Sequence, residues 1–430
     1  MSSKSTVKLI IFLVLIAAIL GVGYWLYMLK THPAALPTSP TNGSGGFAPL
    51  SRSGISGQTS SSTSNYKTTN NGGVAQQTNP IPVLRLLSDT PVGGYGASTT
   101  ASTTLVRWID RGRGNIYEAK GNTLAIATLS NTLLPKVYNS IWNKAITAFI
   151  GPTIQGDSET PTYIYAELNN QAIAPAATST RSIQTLTPFS LKGRSLPSNT
   201  IGYAVSPQKD KLFTLVQDTN GSVGYVSNFD GTKTAQIFTT PLTQFNVDWP
   251  STNIITLINK GTADRASYLY FVDPKTGVWK KVIGPMNGLS AKVSVDGKKV
   301  FFSASGNNSD IVSGIYNVAS STMMDVVLRT LAEKCVWGNF YKDVVYCAVP
   351  FQNFPGTYPD DWYRGTVSTI DKVWQVNSVT GETKLVAPII GQADRVIDMF
   401  NLGIDDKDNF LFFMNKNDLS LWSLDLVRSH

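Results

Sequence analysis

A strand-rich unit recurs along the second half of the chain, and this recurrence limits the possible folds more than any other feature. Ser206, Trp249, Ser294 and Trp337 each stand at the end of a unit's first strand, at successive separations of 43, 45 and 43 residues. Each unit reads as strand, tight turn, strand, longer loop, strand, Gly-containing turn and strand. A period of this size built only from strands is the mark of β-propeller blades, because one four-stranded sheet cannot bury both its faces without neighbours.

The expected inner strands are IGYAVS (201–206), FNVDW (245–249), LSAKVSV (289–295), KCVW (334–337) and RVIDMF (395–400). Apolar second strands follow, such as KLFTLV, KVFFSA and NFLFFM. The turns DPKTG (273–277) and NSVTG (377–381) occupy one position in two different units. Polar turns containing Gly between alternating strands are hairpin chemistry. Two less regular units are expected over residues 91–130 and from 136 onward. The segment IPVLRLLS (81–88) has no partner near it in sequence, and the last unit lacks an outer strand after LSLWSLDL (419–426). Pairing the two closes the ring and covers both edges. The expected fold is therefore all-β, a propeller of seven four-stranded blades over 81–430. Six or eight blades remain open at this stage, since the count rests on the irregular region 91–200.

Residues 9–29 (LIIFLVLIAAILGVGYWLYML) are apolar without a charge, long enough at 1.5 Å per residue to span a hydrocarbon core of about 30 Å. Tyr24, Trp25 and Tyr27 sit near the far end, where interfacial aromatics belong, and Lys4 and Lys8 precede the segment. A cleaved signal peptide is the alternative, but its apolar core is shorter and ends in small residues. The expectation is a cytoplasmic stub and a single transmembrane helix over 1–30. Residues 31–80 are rich in Ser, Thr, Gly, Asn and Pro, with Arg52 and Lys67 as the charges after His32. A disordered linker is expected there, with the propeller outside the cytoplasm.

The net charge of +8 comes with no Lys/Arg run, so no nucleic-acid partner is expected. Cys335 and Cys347 fall on neighbouring strands of one hairpin, where opposed positions approach closely enough for a disulfide; two buried free thiols are the alternative. Without histidine partners they make no zinc site, and neither a metal nor a cofactor is expected.

The segment SVDGKKVFF (294–302) resembles the TolB-type, WD-like propeller repeat, which carries a Ser-x-Asp-Gly-Lys turn between its first two strands. SPQKDKLFTL (206–215) keeps the Ser, whereas WPSTNIITL (249–257) keeps neither Ser nor Gly. The arrangement is also similar to the propeller that precedes the catalytic domain of dipeptidyl peptidase IV-like enzymes. The resemblance implies a fold and leaves the activity open.

Histidine argues against that peptidase chemistry. The sequence has two, His32 in the linker and His430 at its last position, and a Ser–His–Asp arrangement needs an imidazole inside the fold. No G-x-S-x-G occurs. The adjacent pairs Asp360–Asp361 and Asp405–Asp406 are read as loop residues, and IDDKDNF (404–410) as the turn between the first two strands of the last blade. The insertion PFQNFPGTYPDDWYRGTVSTI (350–370) is the candidate binding surface, with Phe354, Tyr358, Trp362 and Tyr363 beside Asp360, Asp361 and Arg364. The competing reading folds these aromatics back over the propeller rim.

These features point to a non-catalytic, membrane-anchored module that binds a protein, peptide or glycan at the cell envelope. The alternatives are an envelope glycan hydrolase or lyase working in the central channel, and a purely structural surface protein.

Overall fold

The computed structural model describes residues 80–154, 160–170, 189–306, 310–352 and 355–429. The apolar segment 9–29, the linker up to residue 79, Phe354 and both histidines lie outside them. Among the described residues no helix is long and apolar enough to cross a membrane.

Seven antiparallel four-stranded sheets follow one another along the chain. Their inner strands, for blades one to seven, are Val92–Thr99, Ile141–Trp142, Thr200–Val205, Phe245–Ser251, Ser290–Val293, Cys335–Trp337 and Met399–Ile404. Leu84–Ser88 supplies the outer strand of blade seven, antiparallel to Leu421–Asp425, with Leu84 opposite Leu424 and Leu86 opposite Trp422. The ring is thus closed by the first described strand against the last, which removes the open edge that a linear array leaves. Arg85 locks this seam. Its guanidinium donates to the carbonyls of Lys120 (3.1 Å), Thr123 (2.7 Å) and Leu124 (3.0 Å), all in blade one.

The cores lie between adjacent sheets. Second strands such as Lys299–Ser305 bury nearly every residue because both their faces meet a neighbouring blade. Buried Trp142, Trp249 and Trp337 fill equivalent places at the inner strands of blades two, four and six.

The recurrent Ser has a specific task in the turn. Ser294 Oγ donates to Asp296 Oδ1 (2.6 Å) and accepts the Lys299 N–H (3.0 Å), while Gly297 takes the left-handed backbone at φ +74°. Ser206 makes the same contacts to Asp210 and Lys211. In blade seven Asp405 takes over, accepting from Asn409 N (2.6 Å) and Phe410 N (2.9 Å).

One inner strand differs from expectation. RVIDMF does not enter the sheet as a unit, since the strand begins at Met399 and runs to Ile404. The carboxylate of Asp398 turns instead into a buried cluster with Lys334, which holds residues 395–398 out of the ladder.

Candidate functional site

In a propeller the first-to-second and third-to-fourth turns share one face. The second-to-third loops and the links between blades share the other. The insertion after strand Val344–Pro350 lies on this second, loop face, where Pro359 precedes a short helix, α1 (Asp360–Arg364), capped by Gly365 in the left-handed conformation. Asp360 and Asp361 therefore open a helix rather than a loop. Asp361 serves the insertion itself, accepting Thr357 N (2.6 Å) and Arg364 Nη2 (2.6 Å). These hydrogen bonds, the one from Thr357 first, hold its carboxyl below the usual range.

Two aromatics of the insertion turn inward, while Phe354 lies outside the described residues. Tyr358 is 7% exposed and Trp362 5%, while Tyr363 retains 44%. Trp362 packs inward because its Nε1 has a buried acceptor, Asp398, and because Lys334 and Lys416 stand over its ring at 5.5 and 5.0 Å. The remaining contacts fasten the insertion to several blades. Asp360 Oδ2 accepts Ala263 N (2.7 Å) from blade four, and Ser305 Oγ of blade five donates to the Tyr358 carbonyl (2.6 Å). Tyr363 Oη donates to Glu333 Oε1 (2.7 Å) beside the inner strand of blade six. The segment acts as a strap over blades four to seven.

Beside this strap the described residues of the loop face leave a depression. A hollow of about 970 Å³ is lined by side chains such as Asn199, Gln217, Thr219 and Gln244. A second hollow, of about 380 Å³, reaches inward past the inner strands of blades three to five, to Asn246, Asp248, Lys292 and Glu333. Tyr163, Ile201, Phe245 and Lys260 line both, so the two are one groove running from the blade tops into the central channel. Its outer part is rich in side-chain amides and hydroxyls; its inner end is charged.

At that inner end Lys292 Nζ lies 3.2 Å from Asp248 Oδ2, and this carboxylate raises the pKa of the ammonium. Burial pushes the Glu333 carboxyl up, against the opposing pull of the Tyr363 hydroxyl and of Lys292 and Lys260. Tyr363 is raised as well, by desolvation of its hydroxyl end, although its ring stays partly exposed, and then by Glu333. The cluster thus holds a carboxyl inclined to keep its proton next to cationic donors. Among the described residues no group of three or more His, Cys, Asp and Glu could hold a metal.

Of the residues singled out from sequence, the strap brings Tyr358, Asp360, Asp361, Trp362, Tyr363 and Arg364 together, mostly in contacts with the protein itself. Tyr363 alone reaches the groove's charged end, through Glu333. Cys335 and Cys347 are directly opposed in the blade-six ladder and joined as a disulfide. The groove residues were missed, although two carried a signal: Asp248 and Lys292 are the single charges of their inner strands.

No family model matches the sequence, and no curated protein matches it. Solved structures do resemble the fold. An oligogalacturonate lyase from Vibrio parahaemolyticus is similar at a TM-score of 0.50 and 11% identity, over 80% of this chain and 92% of that one. TolB from Acinetobacter baumannii is similar at 0.39 and 11%, over 73% of this chain and 60% of TolB. A puromycin-hydrolysing peptidase from Mycobacterium tuberculosis gives 0.45 and 14%, over 71% of this chain and 48% of the peptidase. The chain thus spans under two thirds of the TolB and peptidase structures. At these identities the lyase match bears on the fold alone, a seven-bladed propeller, which agrees with the TolB-type resemblance of the repeat.

Proposed function

We propose that the chain is a membrane-anchored, extracytoplasmic propeller that binds a protein, peptide or glycan of the cell envelope in the groove of its loop face. One observation carries this reading: two hollows share Tyr163, Ile201, Phe245 and Lys260 and so form a continuous concave path from the blade tops to the channel. Concavity with a few convergent polar groups is what ligand recognition requires, and rigid blades limit the entropy lost on binding. The apolar run 9–29 supports the anchor, which would raise the local concentration of an envelope partner.

The test is affinity capture from envelope extracts by the full chain and by a Gln217→Ala/Gln244→Ala double variant. Partners held by the wild type and lost by the variant support the groove. Equal recovery, or recovery that depends on residues 355–365 instead, overturns it. Carbonate washing of membranes tests the anchor separately, since an anchored chain stays in the pellet.

The charged end of the groove favours a second reading, a glycan hydrolase or lyase. Glu333 is inclined to hold its proton and stands next to a tyrosine hydroxyl, as a general acid would. Release of new reducing ends or unsaturated products from envelope glycans, abolished in Glu333→Gln, is its signature.

A further inference from the structure

Lys334, Asp371 and Asp398 form a cluster sealed between blades six and seven, none of the three more than 1% exposed. Lys334 Nζ lies 2.8 Å from Asp371 Oδ2, 2.7 Å from Asp398 Oδ1 and 2.5 Å from Thr369 Oγ1. The Trp362 ring stands 5.5 Å from the same nitrogen. None of these residues lines the groove, although Lys334 directly follows Glu333.

The two carboxylates differ. Asp398 faces donors on both oxygens: Trp362 Nε1 at 3.1 Å from each, and the Thr369 N–H at 3.1 Å from Oδ2. Asp371 accepts the Met399 N–H (2.6 Å) and shares Thr369 Oγ1 (2.9 Å). Burial works against ionisation at both. At Asp398 the Lys334 ammonium and the surrounding donors win and hold the carboxyl below its ordinary value; at Asp371 burial wins, aided by the Asp398 charge, and the carboxyl is raised.

One ammonium against two carboxylates leaves a buried cluster one negative charge from neutrality, which is costly in a dry interior. A proton on Asp371 removes that charge. The cluster then contains an amine source, a carboxyl polarised on both oxygens and a neutral proton carrier, with Lys334 and Thr369 each touching both acids. We propose that Lys334 and Asp398 condense into an isopeptide bond, with Asp371 carrying the protons.

The balance closes without any outside reagent. The Lys334 ammonium passes one proton through Asp371 to the Asp398 carboxylate, giving a free amine and a neutral acid. The amine nitrogen attacks Asp398 Cγ, forming the N–C bond, while the donors at Trp362 and Thr369 stabilise charge growing on oxygen. Asp371 then gives its proton, through the Thr369 hydroxyl that touches both acids, to the departing hydroxyl and takes one from the nitrogen. The C–O bond breaks, one water leaves, and Asp371 ends protonated as it began. Condensation is unfavourable between free groups in water, but fixed contact is equivalent to about 10⁵–10⁸ M reactant, and the dry site disfavours the charged alternative. The bond would join the residues that immediately precede the inner strands of blades six and seven.

Intact mass of the full-length chain, reduced and denatured, reads the outcome directly. The expected chain is lighter than its sequence by one water, and a protease digest contains a branched peptide carrying both Lys334 and Asp398. Full sequence mass, with the two residues in separate peptides, overturns the proposal and leaves an ionic cluster. A branch from Lys334 to Asp371 overturns the assigned roles. Asp371→Asn should retain the water and give separate peptides; a bond still formed in that variant removes Asp371 as the carrier. Should that variant not fold, the wild-type mass alone decides the bond.

Discussion

Trp362 Nε1 lies 3.1 Å from both carboxylate oxygens of Asp398, so a residue in a surface insertion of blade six is fastened to the approach to blade seven. The bond explains why Trp362, placed in a surface insertion, is buried. A buried carboxylate needs donors, and the indole supplies one together with an apolar body that shuts out water.

The strap should therefore act on stability before it acts on recognition. Trp362→Ala is expected to cost about 3–5 kcal/mol, through lost burial and an acceptor left short of a donor. Trp362→Phe, which keeps most of the body, should cost roughly 1–3 kcal/mol. Urea unfolding of both variants measures this, and midpoints unchanged from wild type would contradict the buried position of Trp362.

At the ring seam, Arg85 donates to three carbonyls of blade one. Arg85→Ala leaves these acceptors unserved, and a loss of about 1.5–3 kcal/mol is expected. Hydrogen exchange should rise first in the paired strands Leu84–Ser88 and Leu421–Asp425. Faster exchange spread evenly over all blades would argue against a local seam.

Cys335 and Cys347 close a short loop, with a sequence separation of 12. Chain-entropy reasoning gives about 2–3 kcal/mol for a cross-link of this span. Non-reducing peptide mapping of protein made in an oxidising compartment should recover the two residues in one linked peptide. Both thiols free in such material would refute the bridge.

The raised Glu333 carboxyl implies a pH dependence of definite sign. A group that binds its proton more tightly in the folded chain contributes its full stability below its unfolded pKa, near 4.5, and loses it as pH rises through the folded value. As pH rises above about 4.5 the stability of the wild type should fall relative to that of Glu333→Gln. A stability difference between the two that is flat above this pH would mean Glu333 is not raised.

Much of this protein was legible without coordinates. The 43-to-45-residue spacing, the Ser-x-Asp-Gly-Lys turn and the unpartnered segment 81–88 pointed to a ring of seven blades closed by that segment, and the structure decided seven over six or eight. Those signals are local, because strand alternation and turn chemistry are written in neighbouring residues. The opposition of Cys335 and Cys347 followed from hairpin register for the same reason. What only the tertiary structure decided is where distant loops meet. Asn199, Gln217, Gln244 and Lys260 share no motif, and they line one groove because successive blades carry corresponding loops to the same face. Trp362, in sequence a candidate for exposure, is buried because Asp398, 36 residues away, needs its donor. The direction a side chain takes in a long loop is set by partners from other blades, and only the closed ring brings those partners within reach.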